Sequence, residues 1–318
     1  LYKKYCTTTL MTKNRIITVS LFLSAMLLFA VVVWFSFANV DVSSVLEQLS
    51  PSQFLVNVSL GLTFFFSFGL TLGTGFFQHY RLRIRTIDLV TLPIMMHLFT
   101  YILPIKGGLL FQIFYTRYKY SLDLSKGFSI GIVTLFISVL LTVSLGLGIL
   151  LYLQLESVTL YSFIGVMGLG LIIMPIIVRV VPKKINFLID VRLQLIEQVN
   201  NPHLLVGLLL TGLFSILIQS LWFWQSADML GIDADFARVV LVILVLRIIL
   251  LVRLLPGNLG LQELMIGTVF LVAGFSVEEG LMVALLVRLV SVFLASTIGL
   301  IGLYSNLKYF GSKNLSSL

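Results

Sequence analysis

Along this chain the apolar positions run together instead of alternating. Hydrophobic stretches occupy residues 16–38, 52–77, 87–103, 107–115, 127–153, 159–181, 204–227, 236–255, 261–275 and 280–304. A helix crossing a hydrocarbon core about 30 Å thick takes about 20 residues, so most of these stretches predict membrane-spanning helices. Two of them, 107–115 and 261–275, are too short to cross comfortably, and each follows a Leu-Pro and a glycine-containing break. The apolar core of 16–38 exceeds the roughly 7–15 residues of a signal-peptide core, which predicts an uncleaved anchor. The expected fold is all-α and polytopic, with roughly eight to ten helical segments by span length. Residues 1–318 are read as one integral membrane domain.

Composition agrees. The 318 residues are 59% hydrophobic and 11% charged, with a mean hydropathy of +1.09. A soluble domain carries about 25% charged residues, because its surface is wet. This chain has no such surface to offer. Cys6 is the only cysteine, which excludes an internal disulfide and a thiolate metal site. His79, His97 and His203 are far apart and form no HExxH pattern, so neither metal nor cofactor is expected. A net charge of +8 suits nucleic acid in principle, but its placement points to a membrane and to no nucleic acid.

Basic residues favour the cytoplasmic side of a membrane. If the two short segments are hairpin returns, Lys3, Lys4, Lys13, Arg15, Arg81, Arg83, Arg85, Arg117, Lys119, Lys126, Arg179, Lys183, Lys184, Arg192, Lys308 and Lys313 share one side. They are 16 of the 21 basic residues, so both termini are expected in the cytoplasm of a cell-membrane protein. Asp41, Glu47, Glu156, Asp228, Asp233, Asp235, Glu278 and Glu279 fall on the other side, with Arg238. Counting either short segment as a full crossing scrambles this sorting. Two hairpins of opposite orientation are therefore expected, over residues 87–126 and 236–279.

The breaks that open the short arms resemble each other. Leu103-Pro104-Ile105-Lys106-Gly107-Gly108-Leu109 matches Leu255-Pro256-Gly257-Asn258-Leu259-Gly260-Leu261 at an offset of 152. Inverted repeats with broken helices meeting near the midplane are a recurrent transporter plan. Residues 183–200 differ from the rest. Ile185, Leu188, Ile189, Leu195, Ile196 and Val199 are expected on one helical face, away from Asn186, Asp190, Gln194 and Glu197. That pattern predicts a helix on the cytoplasmic surface, or equally a linker helix packed on the bundle.

Charges at membrane depth are costly and are functional candidates by default. Lys106, Arg247, Arg253, Glu263 and Arg288 qualify, with a net charge of +3. Arg288 lies nine residues past Glu279, about 13 Å along a helix, and Arg247 lies twelve past Asp235, about 18 Å. Arg253 is near enough to the far headgroups to snorkel. A cavity with surplus positive charge suits an anionic headgroup or a phosphate. The opposing expectation is mutual satisfaction, with Glu263 paired to Arg288 to hold the hairpin. That leaves Lys106 and Arg247 without acidic partners. Pro256, Gly257, Asn258 and Gly260 permit irregular backbone, and the helix they open presents its amides to anions. Gly107 and Gly108 alone read as a plain turn, but matched with the second break they point to a site, and Gly107, Gly108, Arg117 and Arg253 are the weaker headgroup candidates. Gln112, Gln219 and Gln262 either line the same cavity or serve as interhelical glue.

Other signals are weaker. Asp233-Ala234-Asp235 resembles a metal-binding DxD, but it precedes a helix and reads as a cap. Gly69–Gly73 and Gly127–Gly131 read as close-packing points. His97 reads as a hydrogen-bonded bundle residue. Trp222 and Trp224 are expected in an interfacial aromatic belt.

At the hairpins the chain resembles the lysylphosphatidylglycerol synthase transmembrane-region family of flippase-like integral membrane proteins. The carrying residues are Pro104-Ile105-Lys106-Gly107-Gly108 with Arg117, and Arg253-Leu254-Leu255-Pro256-Gly257-Asn258-Leu259-Gly260-Leu261-Gln262-Glu263. The second run is similar to the family's Pro-x-x-x-Gly-x-x-Glu signature, and Arg288 stands where a late-helix Arg is usual. The first hairpin departs from the pattern, with Leu109 and Leu110 where an acidic residue is usual. The resemblance implies movement of an anionic or aminoacylated phospholipid, or of a polyprenyl-phosphate-linked glycan, between leaflets. Larger relatives append a soluble aminoacyl-transferase domain, and without one lysine transfer to lipid is not expected.

Three functions are compatible with these residues. A flippase or scramblase takes a membrane phospholipid or lipid-linked glycan as its partner. The chain contains no Walker motif, which leaves downhill scrambling or ion coupling as the energy source. A membrane enzyme acting on lipid-linked substrates has only Glu263 and Asp123 to offer as a base. A non-catalytic subunit accompanies a separate synthase or glycosyltransferase.

Overall fold

A computed structural model describes residues 50–103, 107–153, 186–249 and 261–313 of the chain. The stretches 16–38 and 159–181, Lys106 and the run 250–260 with Arg253, Pro256, Gly257, Asn258 and Gly260 lie outside the described residues. Within them the protein is all-helical. The helices are α1 (Pro51–Tyr80), α2 (Thr86–Ile102), α3 (Gly107–Tyr120), α4 (Leu124–Leu153), α5 (Asn186–Val199), α6 (Pro202–Met229), α7 (Phe236–Ile249), α8 (Leu261–Val272), α9 (Val277–Leu294) and α10 (Leu300–Lys313). A π-helical turn over Ala295–Gly299 joins α9 to α10 without a break. Among the described residues, four helices are long and apolar enough to cross a membrane: Pro51–Tyr80, Leu124–Leu151, Pro202–Met229 and Val277–Asn306.

Local chemistry sets the ends of these helices. At the start of α1, the Gln53 amide donates to Ser50 Oγ at 3.3 Å and the Ser50 amide to Gln53 Oε1 at 2.8 Å. Pro51 fills the first position, where a missing N–H costs nothing. Ser276 and Glu279 build the same reciprocal cap on α9. Asp235 caps α7, accepting from the Arg238 amide at 3.3 Å, so the DxD-like run is a helix start.

Glycine and proline fix how α1 meets α2. Pro93 lies inside α2 and has no N–H to offer the carbonyl of Leu89, one turn back. That carbonyl points at α1 where Gly69 stands. A Cβ on Gly69 would lie 1.7 Å from Leu89 O. The contact therefore exists only because position 69 has no side chain. Gly131 fits likewise against Leu109 on α3, where a Cβ would come within 2.7 Å of Leu109 Cδ1.

Cross-contacts give the course of the short helices. In α2 and α3, Phe99 stacks on Phe111 with ring centroids 4.2 Å apart, and Asp88 meets Tyr115 at 2.9 Å. The two helices are therefore antiparallel and form a hairpin that begins and ends at one level. Helices α7 and α8 do the same, since Gly274, just past α8, lies against Arg238 near the start of α7. The continuous α9–α10 rod serves as a ruler for both. Its start, at Gly280, packs on Gly267 and Phe270 of α8, and its far part, at Gly299 and Gly302, packs on Ile94 and Met95 of α2. The open end of α7/α8 thus lies at one end of the rod and the open end of α2/α3 at the other.

Two expectations need correction. Helix α5 buries Val191, Leu195 and Gln198, while Ile189, Ile196 and Val199 are exposed. The apolar residues expected on a single face are divided because Gln198 turns inward, where its Nε2 donates to Tyr80 Oη and Ser129 Oγ, both at 2.8 Å. Trp222 is not a belt residue either. It is 2% exposed and donates through Nε1 to Asn57 Oδ1 on α1. A buried indole N–H needs an acceptor, and Asn57 supplies it while donating to Ser226 Oγ at 2.9 Å. Trp224 is half-buried near the end of α6 and donates to the carbonyl of Ala234, in the loop that follows, at 2.8 Å.

Candidate functional site

The middle of α9 carries Arg288, which is 4% exposed among apolar neighbours. An isolated cation there is expensive, and the fold answers with a carboxylate. Glu263, in the first turn of α8, forms an ion pair with Arg288 Nη1. The antiparallel packing of α8 on α9, close at Gly267 and Gly280, brings the two into register. Glu263 Oε2 is buried and finds no partner among the described residues. The Arg288 guanidinium also lies 5.8 Å from the ring centroid of Tyr101, near the inner end of α2. Tyr101 Oη lies 3.3 Å from His97 Nε2, confirming His97 as a hydrogen-bonded bundle residue. The inner ends of the two hairpins, Tyr101 on one and Glu263 on the other, therefore meet at one arginine.

Arg247, near the end of α7, is held differently. Its Nε donates to Gln219 Oε1 at 2.8 Å and its Nη2 to Ser215 Oγ at 3.1 Å, both on α6. These acceptors are neutral. Among the described residues no carboxylate lies within ion-pair distance of Arg247. Gly61 of α1 faces both Trp222 of α6 and Val290 of α9. Gly75 of α1 lies beside Leu208 of α6. Gln219 and Ser215 thus lie between these levels, and Arg288 is within a turn of Val290. Both guanidiniums consequently lie in the middle of the bundle, where Arg247, unlike Arg288, has no acidic partner among the described residues.

The remaining candidates are elsewhere. Gly107 and Gly108 close the first hairpin, since a Cβ on Gly108 would lie 2.4 Å from Met96 O. Arg117 is half-exposed and 4.0 Å from Asp123, away from the central arginines. Gln112 is buried on α3, and its Nε2 has no partner among the described residues. The described residues contain no cluster of metal-ligating side chains.

The sequence reading missed Asp88. This carboxylate is 2% exposed at the start of α2, where Oδ1 accepts from Lys119 Nζ at 2.8 Å and from Tyr115 Oη at 2.9 Å. Tyr120 Oη also donates to Oδ2. Lys119 reaches Asn306 Oδ1 of α10 at 3.0 Å, so the network ties the open end of the first hairpin to the last helix. The one available signal was an acid two residues inside an apolar segment. Lys119, read as a loop charge, is bound here.

Searches among characterised proteins and among solved structures give no match. A family model described as the lysylphosphatidylglycerol synthase TM region matches residues 17–299. With that match and its long apolar helices, this is a multi-pass membrane protein of the lysylphosphatidylglycerol synthase transmembrane-region family.

Proposed function

We propose that the chain moves a lipid between membrane leaflets by receiving its anionic headgroup at the bundle centre. The observation that carries this reading is Arg247, a guanidinium at mid-depth held only by neutral side chains among the described residues. A phosphate supplies the charge this site lacks, through charge-assisted hydrogen bonds. The hairpins α2/α3 and α7/α8 act as an inverted pair of re-entrant elements, one open to each side, whose inner ends meet at Arg288. Glu263 and Arg288 hold these ends together, and Oε2 of Glu263, which has no partner among the described residues, suits a cationic group on an aminoacylated headgroup. The substrate is an anionic or aminoacylated phospholipid, or a polyprenyl-phosphate-linked glycan. The end carrying Arg81, Arg83, Arg85 and Lys119 is cytoplasmic, as are both termini.

Reconstitution of the purified chain with a fluorescent anionic lipid separates transport from the other readings. A transporter makes the probe accessible in both leaflets with its mass unchanged. A changed lipid mass would instead establish an enzyme, and neither change would establish a subunit for a separate synthase.

A further inference from the structure

Between α1 and α2 the chain reads Arg81-Leu82-Arg83-Ile84-Arg85, and burial alternates with it. Leu82 and Ile84 pack against the core around Phe76 and Leu92, whereas all three arginines are exposed. The segment is tied at both ends. The Leu82 amide donates to Phe76 O at 3.3 Å and the Arg85 amide to Tyr120 Oη at 3.3 Å. At most about 14 Å of backbone separates the first arginine from the last.

Among the described residues none of the three arginines forms an ion pair. Asp88 is bound by Lys119, Asp123 by Arg117 and Lys126, and Glu197 Oε2 lies 3.9 Å from His79 Nε2. Phe77, one turn before Arg81, is 41% exposed, and Ile87, two residues past Arg85, is 65% exposed. Cations standing where exposed apolar side chains begin match the boundary between acyl chains and headgroups. That position favours a leaflet over a soluble polyanion.

We propose that Arg81, Arg83 and Arg85 form a binding row for anionic phospholipid headgroups beside the open end of the α2/α3 hairpin. Each guanidinium offers paired N–H donors to a phosphate. The row is anchored from below by Leu82 and Ile84, so it holds headgroups at the bundle wall. Its operation does not require transport and is independent of Arg247.

Native mass spectrometry of the full chain in detergent, titrated with phosphatidylglycerol, tests this. One arginine near an anionic surface contributes about a fivefold change in association. The triple variant Arg81→Gln, Arg83→Gln, Arg85→Gln is expected to lose phosphatidylglycerol adducts about a hundredfold if the three contribute independently. Phosphatidylcholine adducts should persist unchanged. Arg83→Gln alone gives about a fivefold loss and serves if the triple variant aggregates. Phosphatidylglycerol binding that matches wild type in these variants overturns the proposal. So does displacement of the lipid by equimolar glycerol phosphate, which would identify a free-phosphate site.

Discussion

Glu263 and Arg288 form an ion pair between the first turn of α8 and the middle of α9, both largely removed from solvent. The pair joins two helices that glycine lets approach closely, with Gly280 against Gly267. Removing one member of a buried pair leaves an uncompensated charge, at a cost of about 3–5 kcal/mol. Glu263→Gln should therefore lower the thermal unfolding temperature in detergent. Glu263→Gln with Arg288→Gln should recover part of the loss, because two amides leave no stranded charge. Additive losses in the double variant would show that the residues do not interact.

The open ends of the hairpins make a prediction for topology. In a Cys6→Ser background, single cysteines at Arg83 and Lys119 should react with an impermeant maleimide from one side. Cysteines at Asp235 and Glu279 should react from the other. Labelling of the Lys119 and Glu279 positions from the same side would contradict opposed hairpins.

Gly69 and Gly148 make a matched pair of substitutions. Alanine at Gly69 drives its Cβ into Leu89 O, and overpacking of this kind costs about 1–3 kcal/mol. Alanine at Gly148 meets nothing within 4 Å and gains up to about 1 kcal/mol of helix propensity. Unfolding temperatures should move in opposite directions. A neutral Gly69→Ala would contradict the close approach of α1 and α2.

Asp88 holds the open end of the first hairpin through Lys119, Tyr115 and Tyr120. Asp88→Asn removes the charge that balances Lys119. Amide hydrogen exchange should rise at the start of α2 and the end of α3, leaving the centre of α9 protected. Unchanged exchange at both helix ends would mean that the network does not restrain the hairpin.

The spans were legible because a membrane demands long apolar runs, and the short arms betrayed themselves by their length, the Leu-Pro breaks before them and the sorting of basic loops. The pairing of Glu263 with Arg288 was legible too, since two opposite charges at one depth on consecutive helices have few other partners. Asp88 was not, because an acid near a helix start looks like an ordinary first-turn residue. Its burial depends on Lys119 and Asn306, which are remote in sequence. The packing of α5 was missed for a similar reason. Gln198 counts as polar in any periodicity, yet Tyr80 and Ser129 draw it inward. Trp222 shows the same limit, since its acceptor Asn57 lies 165 residues away.

Leaflet equilibration in proteoliposomes reads out whether Arg247 receives an anionic headgroup. Fluorescent phosphatidylglycerol and phosphatidylcholine would be compared in wild type and Arg247→Gln. The variant keeps hydrogen-bonding capacity toward Gln219 and Ser215 while losing the charge. Wild type should move phosphatidylglycerol faster than phosphatidylcholine. Arg247→Gln should slow phosphatidylglycerol roughly tenfold or more, the loss expected for a hydrogen bond to a charged group. Its unfolding temperature should stay close to that of wild type. Equal rates for the two lipids in wild type, or an unchanged phosphatidylglycerol rate in the variant, would mean that Arg247 does not receive the headgroup.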